Sequence, residues 1–388
     1  MSTGNSEIVV KPRAVMPADA RTLPARYYTD PEYFARELDT FFRERWICVG
    51  RTEEVATPGQ FVRREVAGDS IIVTRSSDGI LRAFHNVCRH RGTRLCTDDA
   101  GNFGGSIQCP YHAWTYGLDG RLLGAPHMED VPHFRKEEFP LHAVQIADWD
   151  GHLFVHMKMD PPPLAQQLAD LPAKFQAWRM ADLRLGRRVV YDIKANWKLI
   201  VQNYNECLHC PNLHPALNKL SHYLSGENEP LHASYIGGRM DLRPGVDTMS
   251  FDGTCPRAPL PGLSDADRRH VYYYAIFPNM LLSLHPDYMM VHTLWPIAPG
   301  RTISVCEWHF QPTELARVGF DAADAIDFWD LTNRQDWHVC ELSQAGISSR
   351  AYTPGPYSNR EDLLYAFDRM IVALHSRDSE GADTRPAE

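Results

Sequence analysis

The chain has no run of apolar residues approaching the ~20 needed to cross a bilayer, and its opening Met1-Ser2-Thr3-Gly4-Asn5 shows no apolar stretch of signal-peptide length. The expectation is a soluble, cytoplasmic protein. Positive charge is also short: 40 basic residues stand against 49 acidic ones, for a formal net charge of −9. That leaves no basic footprint for a nucleic acid, and a cationic or neutral small ligand is more compatible. No Gly-x-Gly-x-x-Gly run joins a strand to a helix, so the chain offers no obvious seat for a flavin or a nicotinamide. The plant-type ferredoxin spacing of four cysteines is absent as well. Nine scattered cysteines, an odd number, make a poor disulfide framework. Metal ligation and ordinary buried thiols explain them better.

What is present is enough chain, 388 residues, for two domains with cores of their own. After a polar, Pro- and Ala-rich start, Pro31 to Trp46 reads as a helix, with Phe34, Leu38, Phe41, Phe42 and Trp46 at three- and four-residue steps. From Ile47 to about Met159 short apolar runs alternate with turn signals, predicting a small β domain with strands at Ser70–Thr74, Ile80–His85 and Ala113–Tyr116. Pro161-Pro162-Pro163 stiffens the connection that follows and marks a boundary. Beyond it the pattern predicts a helix over Leu164–Arg179, then strands over Arg187–Lys194, Val271–Phe277, Tyr288–Trp295 and Ile303–Phe310. A long helix is predicted over Ala322–Ala345. Such a mixture without strict alternation favours an α+β fold on an antiparallel sheet. The expected division is 1–46, a segment and helix packing with the second domain; 47–160, the β domain; 161–375, the second domain; and 376–388, a charged, disordered tail.

Cys88-Arg89-His90 and Cys109-Pro110-Tyr111-His112 each offer one thiolate and one imidazole. Two His in place of two Cys on one iron is the ligation of a Rieske centre, in which neutral nitrogen raises the potential of a [2Fe-2S] cluster. Tetrahedral zinc is the alternative, although zinc fingers usually place a Cys pair before a His pair. Cys88-Arg89-His90-Arg91-Gly92 and Cys109-Pro110-Tyr111-His112-Ala113-Trp114-Thr115-Tyr116 together resemble the Rieske domain of the ring-hydroxylating oxygenase family. Relatives usually carry Gly where Ala113 stands, and Ala is tolerable there unless the backbone needs positive φ. The gap between the motifs is slightly long, and the Gly101 to Gly105 loop can absorb it. Cys96 reads as a buried thiol.

A second constellation lies further along. The stretch from Asn196 to His209 reads as a helix with Glu206 and His209 on one face, and Pro211 is expected to end or kink it so that His214 returns toward His209. Two converging imidazoles are two-thirds of the facial triad of non-haem Fe(II) oxygenases. Alternatives are a redox or zinc role for Cys207 and Cys210, which lack a second Cys pair; a di-iron bundle, which needs a second Glu-x-x-His; and satisfied core histidines. Asn203 to His214 resembles the mononuclear-iron motif of the same family, so the resemblance covers about residues 30 to 375. The family's third ligand comes from the pattern Asp-x4-Glu-x2-Gln, which selects Asp336, with Glu341 and Gln344 following. Asp336 also shares a helical stripe with Trp329, Val339 and Cys340, where a carboxylate is costly unless paired or metal-bound.

The resemblance implies an all-β Rieske [2Fe-2S] domain and a helix-grip catalytic domain, an antiparallel sheet holding a long C-terminal helix. It implies a cluster on Cys88, His90, Cys109 and His112, mononuclear Fe(II) on His209, His214 and Asp336, and catalytic roles for Glu206 and Asn203. Dioxygen is the oxidant, and electrons come from NAD(P)H through a separate flavin/iron-sulfur reductase. A head-to-tail homotrimer is implied too, with Glu206 bridging one subunit's cluster to the neighbour's iron. Tyr272, Tyr273, Tyr274, Phe277, Tyr288 and Trp295 give an aromatic density suited to a quaternary ammonium; Phe277, Tyr288 and Trp295 among them, together with Tyr204, are the expected substrate contacts. With Asn196-Trp197-Lys198 and Phe277-Pro278-Asn279 they resemble the choline, carnitine and glycine-betaine branch, whose members hydroxylate methylated amines. Hydroxylation of an aromatic acid or hydrocarbon is the alternative, and a simple electron carrier is disfavoured because it needs no second iron.

Overall fold

Side-chain alternation and turn chemistry divide the β region into strands that close on one another. The computed structural model describes residues 15–381. It divides into two compact units, Leu38–Pro172 and a second made of the chain up to Glu37 together with Ala173 onward. The first unit holds a seven-stranded sheet in the order Ile47–Arg51, His152–His156, Ala143–Trp149, Leu81–His85, Asp69–Arg75, Gln60–Val66, Ala100–Asn102, and a three-stranded sheet of Ser106–Gln108, Thr115–Gly117 and Leu122–Gly124. All these pairings are antiparallel. Its core joins Phe61, Ile72, Phe84 and Tyr116 from the strands to Cys88, Cys109 and Trp114 from the loops.

The boundaries differ from the expected ones at both ends. The expected helix over Pro31–Trp46 is α-helical only for Pro31–Glu37, widens to a π turn over Leu38–Phe42, and ends before the strand at Ile47. The unit boundary falls at that change of winding. At the other end the triple proline does not release the chain: Trp46 donates from Nε1 to the Pro162 carbonyl at 2.8 Å, and exchanges two backbone–side-chain bonds with Gln167, both 2.9 Å. The β unit therefore runs to Pro172. The expected helix over Leu164–Arg179 is broken into Leu164–Leu168, Leu171–Lys174 and a 3-10 turn at Gln176–Trp178, with Ala169 and Arg179 at positive φ and Pro172 unable to donate.

The second unit is α+β. Its seven-stranded antiparallel sheet runs Arg184–Ile193, Arg301–Phe310, Met289–Ala298, Met280–Leu284, His270–Ile276, Tyr235–Asp241, Glu227–Asn228. The long helix Ala323–Ile347 lies on this sheet, with Asp330 accepting from the Tyr191 hydroxyl at 2.6 Å and Trp329 Nε1 donating to the Tyr288 hydroxyl at 2.6 Å. The tail expected to be disordered from residue 376 is helical as far as Gly381, because the helix Asp362–Gly381 nucleates on buried Leu363, Leu364, Phe367 and Ile371 and extends cheaply from there. Residues 1–14 and 382–388 lie outside the described residues.

One short helix connects this frame to the chemistry. Asn196 caps Trp197–Tyr204 by accepting the Lys198 amide at 3.0 Å, and Gln344 accepts the Asn196 amide at 2.9 Å. Lys198, fully buried, donates to both Glu37 oxygens at 2.7 and 2.6 Å, and Trp197 Nε1 donates to Glu37 at 2.9 Å. From the other side Gln202 donates to Asp368 at 2.6 Å. The helix is thereby held to Pro31–Glu37 and to Asp362–Gly381 at once.

Candidate metal centres and active-site cavity

In the β unit two loops repeat one backbone design. Gly92 N donates to Cys88 O at 3.0 Å and Ala113 N to Cys109 O at 3.2 Å, while each cysteine amide donates to the carbonyl five residues on, Thr93 or Trp114, at 2.8 Å. Closing such a loop takes a left-handed residue, supplied by Gly92 at φ +75° and by Ala113 at φ +56°. The tolerance expected for Ala113 is corrected: its Cβ sits in a conformation costing about 1–2 kcal/mol. The Cys88 and Cys109 sulfurs are buried in the unit's core, whereas His90 is exposed and His112 half-buried. The two imidazoles lie 4.8 Å apart, and His90 stacks flat on Trp114. Tyr116 accepts the Arg89 amide at 3.0 Å, which directs its own proton to Cys88 Sγ at 3.3 Å. Burial pushes the Cys88 thiol up against the pull of the Tyr116 hydroxyl and the His90 backbone. Two buried thiols and two outward imidazoles fit a cluster with sulfur ligands inside and nitrogen ligands at the surface.

In the second unit the helix expected to reach His209 stops at Tyr204. Asn205 ends it, its side-chain amide taking the Val201 carbonyl at 2.6 Å. Pro211 does not end a helix but sits in the first turn of the next, Cys210–Leu213, where no amide donor is required. Cys207 and Cys210, weighed above as a redox or zinc pair, are joined as a disulfide with Cα atoms 5.0 Å apart, inside the range such a bond needs. The turn between the two short helices, not a continuous helix face, brings Glu206 Oε1 to 2.5 Å from His209 Nδ1.

His209, His214 and Asp336 converge, each offering one ligand atom within 4.8 Å of the others. His214 Nε2 is 2.7 Å and His209 Nε2 3.4 Å from Asp336 Oδ1. Both Nδ1 atoms face outward to acceptors, Glu206 for His209 and Gln335 Oε1, at 2.7 Å, for His214. Donation from Nδ1 leaves both Nε2 lone pairs aimed at the common point, which is the tautomer a metal requires. Burial pulls the His209 pKa down, but the Asp336 and Glu206 carboxylates outweigh it and push it up to about 10; burial raises Asp336, and the two imidazoles hold it below the usual carboxylate range. Without a cation, a proton on His209 offsets one of the two carboxylate charges. A divalent ion fits in its place and releases it. Gln335 carries no signal in the sequence motif beyond lying next to Asp336, and was not foreseen.

A cavity with about 910 Å³ of open space, its mouth included, adjoins this point. Asn203, Tyr204 and Glu206 line it, as do Tyr273, Met290 and His292 from the sheet and Trp329, Thr332, Asn333 and Trp337 from the long helix that carries Asp336. The choice of Phe277, Tyr288 and Trp295 as lining residues is corrected. Phe277 packs on Phe367 with ring centroids 5.5 Å apart, Tyr288 spends its hydroxyl on the Met249 carbonyl and on Trp329, and Trp295 bonds Thr293. Strand phase explains this. Tyr273 faces the cavity, and its neighbours Tyr272 and Tyr274 point to the other side, against Phe175.

Residues 45–135 match the Rieske [2Fe-2S] domain family, and residues 180–376 match the catalytic domain of ring hydroxylating alpha subunits. The chain belongs to the Rieske ring-hydroxylating oxygenase family. It is an oxygenase component with a [2Fe-2S] cluster and a non-haem iron, using dioxygen and electrons supplied by a reductase. It is 31% identical over 366 residues to the glycine betaine monooxygenase oxygenase subunit of Pseudomonas aeruginosa, covering 87% of this chain and 85% of that protein. It is 31% identical over 342 residues to the carnitine monooxygenase oxygenase subunit of Escherichia coli, covering 87% of each. The solved structure of a quaternary ammonium Rieske monooxygenase, described by its carnitine oxidation and inter-subunit electron transfer, superimposes with a TM-score of 0.77 at 26% identity, over 94% of this chain and 100% of that one. Among the described residues of this oxygenase, no helix is long and apolar enough to cross a membrane.

Proposed function

We propose that this oxygenase hydroxylates an N-methyl group, or a neighbouring C–H bond, of a small quaternary amine. The observation that carries the reading is the cavity: Tyr204, Tyr273, Trp329 and Trp337 surround it, and its lining cation, Arg239, is ion-paired to Glu227 at 2.8 Å. Each aromatic face turned to a quaternary ammonium contributes roughly 0.5 to 2 kcal/mol. The names of the betaine and carnitine relatives support the same class. Cys88, His90, Cys109 and His112 hold the cluster in this reading, and His209, His214 and Asp336 hold the iron, which when bound supplies the activation of dioxygen. Glu206 and Gln335 keep both imidazoles in the ligating tautomer, and the aromatic walls exclude water from the reacting carbon. Asn203 lines the approach.

The proposal includes a head-to-tail homotrimer. Imidazoles at the surface of the β unit suit delivery of electrons to a neighbour, and Glu206, which also accepts the Leu208 amide, keeps lone pairs for a second imidazole. A separate reductase supplies the electrons. The test is oxygen uptake by the reconstituted system against methylated amines and aromatic acids, with formaldehyde or aldehyde measured. Quaternary amines should drive coupled uptake, and His209→Ala, His214→Ala or Asp336→Ala should abolish it while removing one iron and leaving the cluster spectrum intact. Coupled turnover with an uncharged aromatic substrate, and none with any quaternary amine, overturns the proposal.

A further inference from the structure

The cavity also contains polar atoms that the protein leaves unanswered. His292, on the strand Met289–Ala298, is 1% exposed and lines the cavity, yet neither of its ring nitrogens makes a hydrogen bond. Trp337 Nε1 is likewise buried and without a partner, and the two rings lie 5.8 Å apart at 87°. An unmet buried donor costs about 1–3 kcal/mol, so two on adjacent rings call for an acceptor that arrives with the ligand. The Asn333 side chain lies beside the ring and favours its protonated form, but its Nδ2 points to Tyr191 and to Cys306 Sγ, at 3.5 and 3.7 Å, and it reaches neither imidazole nitrogen with hydrogen-bond geometry. His292 stands two residues from Met290, whose register partners Ser283 and then Tyr273 place it on the aromatic face of the cavity. The Tyr204 ring is 6.5 Å from it.

The charges indicate which acceptor. Burial, against weaker pulls from Asn333 and Asp336, lowers His292 to about 4, so near neutral pH it is an uncharged ring with one N–H. A divalent ion at His209, His214 and Asp336 would balance Asp336 and Glu206, leaving a cavity that suits a ligand of no net charge. We propose that His292 and Trp337 form the subsite that reads the carboxylate of a zwitterionic methylated amine, and that they set the preference for betaines over amines without an acid group. This rests on the quaternary-amine reading and adds the acid end to it.

The experiment is calorimetric binding to the full iron-loaded enzyme without oxygen, using glycine betaine and tetramethylammonium as probes. Wild type should bind the betaine more tightly. His292→Phe, and separately Trp337→Phe, should weaken betaine about 10- to 100-fold, the loss of a hydrogen bond to a charged group, and change tetramethylammonium by less than about twofold. His292→Gln, which restores a donor, should recover most of the loss. Iron content and cluster spectrum verify each variant, and Trp337→Phe, which keeps the ring, answers the question if His292→Phe does not fold. Equal losses for both probes, or none for betaine, overturn the subsite. A wild type that binds tetramethylammonium but betaine no more tightly overturns the subsite alone, whereas one that binds neither overturns the quaternary-amine reading with it.

Discussion

Replacing Lys198 with Met would leave Glu37 without its cation in a place where water cannot compensate. Lys198 is 0% and Glu37 1% exposed, and burial raises the Glu37 carboxyl less than Lys198, His375 and Trp197 lower it. Removing one partner of such a pair costs about 3–5 kcal/mol, whereas removing both charges while keeping shape costs far less. Lys198→Met alone should therefore lower stability by about that amount, and the double variant with Glu37→Gln, whose amide oxygen can still accept from Trp197 Nε1, should recover more than half. Lys198 is the second residue of the helix that leads to Asn203, Glu206 and His209, so iron occupancy should fall in the single variant and return in the double one. Urea unfolding followed by tryptophan fluorescence, with iron analysis, measures both. If the two substitutions add, or Lys198→Met costs less than about 1 kcal/mol, the pair is not a compensated buried charge and the reasoning fails.

Three further outcomes follow from geometry. Tyr116→Phe removes the hydroxyl at 3.3 Å from Cys88 Sγ and should lower the cluster potential by several tens of millivolts, since about 1 kcal/mol is roughly 40 mV for one electron; an unchanged spectroelectrochemical midpoint rejects the bond. Asp368 is raised to about 7 by burial, against hydrogen bonds from Tyr357 and Gln202, so its neutral form favours the fold fully below about pH 4 and that contribution is lost as pH rises through 7. Comparing unfolding free energies at pH 5 and 8, wild type should lose up to about 2.5 kcal/mol relative to Asp368→Asn, and a constant difference would contradict the assignment. Ala113→Gly relieves the positive φ and should raise the thermal midpoint of the β unit, by an amount worth about 0.5–1 kcal/mol in calorimetry after the entropy cost of glycine; a fall would show that no strain is held there.

The candidate cluster ligands were legible because short loops position them: Cys88 to Gly92 and Cys109 to Ala113 need a fixed number of residues to close, and that number is visible as spacing. The neighbourhood of Glu206 and His209 was legible for a partly wrong reason, since a turn places them together as well as a helix face does. The cavity wall was not. Aromatic density on strands counts residues on both faces, and one residue of phase decides whether Tyr273 or Tyr274 sees the ligand. Trp329 was already on the stripe of Asp336; extending that stripe to Asn333 and Trp337 was the available signal. Gln335 and the disulfide depend on how the turn folds, which no periodicity records.

Asp336 and one wall of the cavity come from a single helix, Ala323–Ile347, and the facing wall from the sheet. This makes the two walls unequal as material for change. Any adjustment that slides or rotates the helix to admit a larger molecule moves the carboxylate with Trp329 and Trp337, and a slip of one turn displaces it by about 5.4 Å. Tyr273, Met290 and His292 carry no such tether. New substrate preferences, selected or engineered, should therefore accumulate on the strands, while the helix wall changes only in side-chain size and never in position.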